Sequence, residues 1–155
     1  MRKTITFIAC LAVCALAAFI GTLATIPSVP HWYANLHKPA FNPPNWVFGP
    51  AWTILYFMMA VALYLFITKP SAGSKTGGYI FFFSQLIMNS GWSVTFFGRH
   101  EVFNAFLLII ALLVFILLTI LFFSRISKVS AWLLVPYIAW VTFAAFLNFY
   151  IWQLN

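Results

Sequence analysis

The chain has 155 residues, 65% of them hydrophobic and 6% charged, with a formal net charge of +7. Soluble domains carry roughly 25% charged residues, and a domain this small cannot hide so much apolar surface from water. The composition therefore excludes an ordinary water-soluble globule, makes lipid the natural solvent, and leaves room for a single domain. Glu101 is the one carboxylate side chain, which excludes carboxylate dyads, Asp-bearing triads and carboxylate-held metal sites within one chain.

In chain order, Arg2 and Lys3 precede an apolar run over 4–26. That run is longer than a signal-peptide core and long enough to span, so it is read as an uncleaved first span. Cys10 and Cys14 within it read as inert lipid-facing or packing residues. Residues 27–46 carry Pro27, Pro30, Pro39, Pro43 and Pro44 together with Trp32, Tyr33, Phe41 and Trp46. So many prolines preclude one regular helix, and a long aromatic loop in so small a protein suggests a lid. Further apolar runs cover 47–68, 78–97, 102–123 and 131–153, each about the 20 residues that a crossing helix needs. Short polar turns at 69–77, 98–101 and 124–130 join them, with Gly77–Gly78 read as a turn and Pro136 as a kink. The runs do not alternate in polarity as barrel strands do. The expected fold class is all-α, an integral membrane bundle of five transmembrane helices.

Basic residues set the expected orientation. Arg2, Lys3, Lys69, Lys75, Arg125 and Lys128 fall on one side, and Lys38 and Arg99 on the other. The N-terminus is therefore expected in the cytoplasm, with the first loop and the C-terminus outward, in a bacterial plasma membrane. Because these charges flank apolar runs and form no stripe, nucleic acid is not an expected partner. His31, His37 and His100 lie in loops and read as solvated, so no metal site is expected.

Polar side chains within spans mark bundle interiors or cavities. Gln85, Asn89 and Trp92 are spaced four and three apart, on one helical face. Tyr137, Trp140, Ala144 and Asn148 share a face of the last span, and Phe48, Trp52 and Tyr56 a face of the second. Small Ala139, Ala144 and Ala145 leave room between them. Such residues serve either as interhelical glue and interface belts or as the wall of a cavity under the first loop, and the spacing leaves both readings open. An aromatic wall with few polar anchors suits a large planar hydrophobic ligand.

The segments Trp32-Tyr33-Ala34-Asn35-Leu36-His37-Lys38-Pro39 and Pro43-Pro44-Asn45-Trp46-Val47-Phe48, with Trp52, resemble the first-loop signature of the translocator protein family. Its bacterial members are called tryptophan-rich sensory proteins and its animal members peripheral-type benzodiazepine receptors. Gln85-Leu86 with Asn89 and Trp92-Ser93 resembles its third-helix motif. Val135-Pro136-Tyr137-Ile138-Ala139-Trp140 with Leu147-Asn148 resembles its fifth-helix motif. The resemblance implies a five-helix bundle, usually a homodimer, with a cavity closed by the first loop. The ligands it implies are porphyrins such as protoporphyrin IX, isoquinoline carboxamides and benzodiazepines, and cholesterol in animals. Tyr33, Pro43, Trp52, Asn89, Trp140 and Ala144 match its pocket positions. Ala139 matches a position that modulates ligand handling, and Trp140 matches the tryptophan assigned to light-driven porphyrin degradation in some bacterial members. Two departures stand out. Phe41 replaces a common Trp, and Gln153 stands where the sterol segment ends in a basic residue, which leaves cholesterol recognition in doubt.

The expected function is a membrane receptor or carrier for porphyrins and other hydrophobic ligands, with no cofactor required. A light- and oxygen-dependent porphyrin-degrading enzyme acting through Trp140 and a transporter of tetrapyrroles are the alternatives. The orientation predicts that single cysteines at Ser74 and Asn155, in a cysteine-free background, label differently in whole cells: Asn155→Cys reacts with an impermeant maleimide and Ser74→Cys does not. The reverse pattern would invert the topology.

Overall fold

The computed structural model describes residues 2–155. Six α-helices follow one another: α1 (Arg2–Ser28), α2 (Asn45–Thr68), α3 (Thr76–Ser93), α4 (Val102–Ser124), α5 (Lys128–Trp132) and α6 (Val135–Leu154). Among the described residues there is no β-strand. Long runs of Leu, Ile, Phe, Val and Ala make every backbone group pair within its own segment, as lipid demands. Four helical stretches are long and apolar enough to cross a membrane: Arg2–Tyr33, Asn45–Thr68, Val102–Ser124 and Lys128–Leu154. With the family membership established below, they make this an integral membrane protein. Helix α3 is diluted by Ser84, Gln85, Asn89 and Ser90 and is not among the four.

The first helix runs further than the prolines suggested. It passes through Pro27 and continues as a π-helical turn over Val29–Tyr33, so the connection expected over 27–46 shrinks to 36–44. Proline lacks the N–H that an α-helix would bond and crowds the preceding turn, and a widened turn absorbs both effects without ending the helix. A second π-helical turn, Val94–Gly98, extends α3, with Arg99 N–H donating to Val94 O at 2.9 Å. The kink expected at Pro136 falls at Leu133–Leu134, between α5 and α6, and Pro136 sits in the first turn of α6 where its missing N–H costs nothing.

The helices close into a ring in which α1 packs on α2 and α3, α3 on α4, α4 on α5 and α6, and α5 back on α2. The half of the bundle near the 69–75 turn is solid. Phe66 stacks on Phe123 at 4.0 Å between ring centroids, and Phe123 on Phe82 at 5.7 Å. Gly77 and Gly78 lie in the first turn of α3 rather than in a turn before it. Their missing side chains admit Phe122 and Phe66: a Cβ on Gly78 would stand 2.4 Å from Phe66 Cζ. Ser130 Oγ donates to the Ala62 carbonyl and ties α5 to α2.

Gly78→Ala must push the stacked Phe66 out of register, and overpacking of this kind costs about 1–3 kcal/mol. Thermal unfolding in detergent is expected to shift down for Gly78→Ala and to stay put for Gly73→Ala, whose Cβ meets only Ser71 Oγ at 3.6 Å.

Candidate functional site

The other half of the bundle is hollow. Between α1, α2, α3 and α6 lies a cavity of about 670 Å³. Its floor is a directional chain of hydrogen bonds. Tyr56 O–H donates to Asn89 Oδ1 (3.1 Å), Asn89 Nδ2 to Tyr137 Oη (2.7 Å), and Tyr137 O–H to Gln85 Oε1 (2.7 Å). Gln85 Nε2 ends the chain against Met59 Sδ at 3.9 Å. Three helices are joined through groups that lipid could not satisfy. A second link lies nearer the first loop, where Trp92 Nε1 donates to Asn148 Oδ1 (3.0 Å) and Asn148 Nδ2 donates to the Val102 carbonyl (2.8 Å).

The walls are aromatic. Trp52 lies 5.8 Å from Tyr56 and 6.4 Å from Tyr137, and Phe48 meets Trp140 edge-on at 6.0 Å. One polar atom breaks the pattern of satisfied groups. Trp140 Nε1 is buried with no hydrogen-bond partner, and Trp140 lines the cavity. The lining contains no Asp, Glu, His, Lys or Arg, so the cavity offers shape, ring faces and a few donors and acceptors, and no acid–base pair.

The roof is the first connection. Tyr33, buried at the end of the π-helical turn, donates its O–H to Asn42 Oδ1 at 3.0 Å. Lys38 Nζ lies 4.7 Å over the Tyr33 ring. His37 and Asn155 exchange a reciprocal pair of hydrogen bonds, both 3.0 Å, that fastens the connection to the end of α6. Phe41 adds an edge-on contact with Tyr150 at 5.4 Å.

The structure brings Tyr33, Trp52, Asn89, Trp92, Trp140, Ala144 and Asn148 to the cavity surface. Three further residues singled out in the sequence stand off it. Tyr137 is fully buried one turn below, covered by Asn89, and holds the floor rather than facing the space. Pro43 lies in the connection, its carbonyl accepting from Asn42 Nδ2. Ala139 is exposed on the outer side of α6. The wall contributed by α1 was not singled out. Cys14, Ala18, Gly21 and Thr25 line it at spacings of four, three and four, a helical face that small apolar residues make hard to tell from a lipid-facing one.

Comparison with known proteins places this architecture. The TspO/MBR family model matches residues 10–153. The chain belongs to that family. A tryptophan-rich protein TspO of Chlorobaculum tepidum is 41% identical over 155 residues, covering 99% of this chain and 98% of the relative. A protein of the same name from Archaeoglobus fulgidus is 43% identical over 137 residues, 88% of each chain. The human translocator protein is 32% identical over 143 residues, 90% of this chain and 84% of its own. As in its TspO/MBR relatives' name, tryptophan is prominent here, and four of the seven tryptophans' positions (32, 52, 92 and 140) lie on the hollow half or its rim.

The floor is a coupled unit. Asn89→Leu strips the acceptor from Tyr56 and the donor from Tyr137, and an unsatisfied buried group costs about 1–3 kcal/mol. Tyr137→Phe breaks the same chain. The double variant is therefore expected to lose stability by less than the sum of the two single losses, with a coupling of about 0.5–3 kcal/mol. Denaturant unfolding of all four proteins measures it, and strict additivity would mean that the chain does not act as one unit.

Proposed function

We propose that the cavity binds planar hydrophobic ligands of the porphyrin class, with protoporphyrin IX and related tetrapyrroles as the physiological type and isoquinoline carboxamides as synthetic ones. The protein is then a membrane receptor or carrier for such molecules. The observation that carries this reading is the unpartnered Trp140 N–H inside an aromatic cavity. A buried donor without a partner costs free energy, which a ligand bearing a carbonyl or carboxylate acceptor would recover. The volume of about 670 Å³ falls in the range of small-molecule pockets, roughly 300–1,000 Å³, and ring faces on Trp52, Trp140 and Phe48 supply stacking.

The same reading takes α3 and its π-helical extension as a fifth crossing helix. Their 18 and 5 residues reach about 35 Å at 1.5 Å per residue, enough for the bilayer core. Gln85, Asn89 and Trp92, which lower its hydropathy, are buried and paired inside the bundle. The bundle is taken to sit in a bacterial plasma membrane with its N-terminus in the cytoplasm and the cavity half outward.

A second reading, light-driven oxidation of a bound porphyrin, rests on the indole of Trp140 lining the cavity, since the lining holds no acid or base. A porphyrin product that forms only in light and oxygen and disappears in Trp140→Phe would favour it over simple binding.

Protoporphyrin IX is expected to quench tryptophan fluorescence saturably in the purified protein. Trp140→Phe keeps a ring but removes the N–H, and the loss of about 1 kcal/mol raises Kd roughly fivefold. Trp140→Ala removes the stacking wall as well and costs more. Trp132→Phe, at a residue 71% exposed outside the cavity, should bind like the parent. Equal damage from Trp132→Phe would move the site elsewhere.

A further inference from the structure

We propose that the cavity fills sideways from the lipid, through a slit between α1 and α2 on the hollow half of the bundle. The proposal rests on the reading of the cavity as a ligand site. It stands on a contrast between the walls. On the α3 and α6 side the lining is closed: Asn148 is 1% exposed, Ala144 6% and Trp92 9%. On the α1 and α2 side residues line the same cavity and face outward as well: Phe57 is 55% exposed, Phe19 58% and Ile26 66%. A side chain that belongs to a cavity wall and is also half open to the surroundings marks a mouth.

The mouth lies within helices long and apolar enough to cross a membrane, so what it opens onto is hydrocarbon. Its edges suit that setting. Thr22 and Thr53 sit on opposite lips, and each turns its hydroxyl back to its own helix, onto Ala18 O and Gly49 O at 2.8 and 2.9 Å. The lips therefore show no unsatisfied polar group to lipid. Gly49 widens the mouth further, because a Cβ built there meets nothing within 4 Å. Nearer the solid half α1 and α2 close again, with Phe7 edge-on to Tyr64 at 5.3 Å.

The roof points the same way. The reciprocal His37–Asn155 bonds, the Tyr33–Asn42 bond and the Phe41–Tyr150 contact shut the end of the bundle that faces water. Access through the roof must break these together, whereas access through the slit breaks none of them. A porphyrin already dissolved in the bilayer is flat, and a slit between two helices accepts a flat molecule edge-first.

Gly49→Trp places a large ring into open space between the lips, and replacing glycine inside a helix does not weaken the helix. In nanodiscs of phosphatidylcholine preloaded with protoporphyrin IX, both association and dissociation are expected to slow by tenfold or more in Gly49→Trp. Ile87→Trp, which adds the same ring at a position 73% exposed on α3 and away from the cavity lining, should leave both rates at the parent's values. Rates unchanged in Gly49→Trp, or a faster dissociation alone, would overturn the slit. A measurement on the parent protein needs neither a variant nor porphyrin. A phosphatidylcholine carrying a diazirine midway along one chain should, on illumination, form adducts on Ala144 and Leu147, which are 6% and 5% exposed and reachable from inside the cavity. Adducts confined to outward positions such as Ile87 and Phe146 would close the slit to lipid and refute the proposal. If Ala144 is labelled but protoporphyrin IX does not bind saturably, the lateral opening stands and the porphyrin reading falls.

Discussion

Everything in this bundle hangs on a chain of four polar side chains in a setting that offers no water. Tyr56, Asn89, Tyr137 and Gln85 each give and take so that one donor finds one acceptor across three helices. In hydrocarbon, helices gain little from greasy contact with one another, because lipid tails are equally apolar. Directional bonds and close packing are what remain to fix their register. Asn89 is the hinge of the scheme, since its amide has a donor end and an acceptor end and both are used. Below the chain the rings of Phe66, Phe82 and Phe123 fill space around glycine. Above it the helices are held apart by Trp52, Trp92 and Trp140, and a hollow results.

The hollow is inexpensive where it stands because its rim is tied in several places. Asn148 spans from Trp92 to the start of α4, Ser90 Oγ reaches the Ala17 carbonyl at 3.0 Å, and Ser28 Oγ donates to the Phe97 carbonyl. His100 adopts the left-handed backbone region at φ 60° and stacks on Trp32 at 4.2 Å. These contacts brace the roof end without filling the space beneath it. The cavity is thus a product of unequal bracing along one axis rather than of missing side chains.

Much of this was legible in the residues. Gln85, Asn89 and Trp92 at four-three spacing, and Trp140, Ala144 and Asn148 at four-four, announced the faces that meet, because polar groups in an apolar helix must turn inward. The wall given by α1 was not legible. Cys14, Ala18, Gly21 and Thr25 carry the right period, but they are small and apolar, and periodicity cannot say whether such a face meets lipid or a void. Tyr137 read as a wall residue because three positions separate it from Trp140, yet that offset also lowers it by most of a turn, behind Asn89. Ala139 has a neighbour in the cavity and is itself rotated about 100° from it, outward. The prolines misled in the opposite direction. Pro27 and Pro30 argued for a loop, and a helix that widens by one residue accommodated them.

That widened turn has a consequence for how such a scaffold can diversify. A π-helical turn amounts to one residue inserted into an α-helix whose flanking turns are retained. Everything on the N-terminal side, including the Cys14–Gly21 face, keeps its orientation. Everything after the turn is rotated by one residue, about 100°. Gain or loss of a single codon within 29–33 would therefore re-aim Tyr33 and the whole roof while leaving the four-helix wall untouched. Ligand selection at the mouth of the bundle and integrity of its frame are, in this sense, separately heritable.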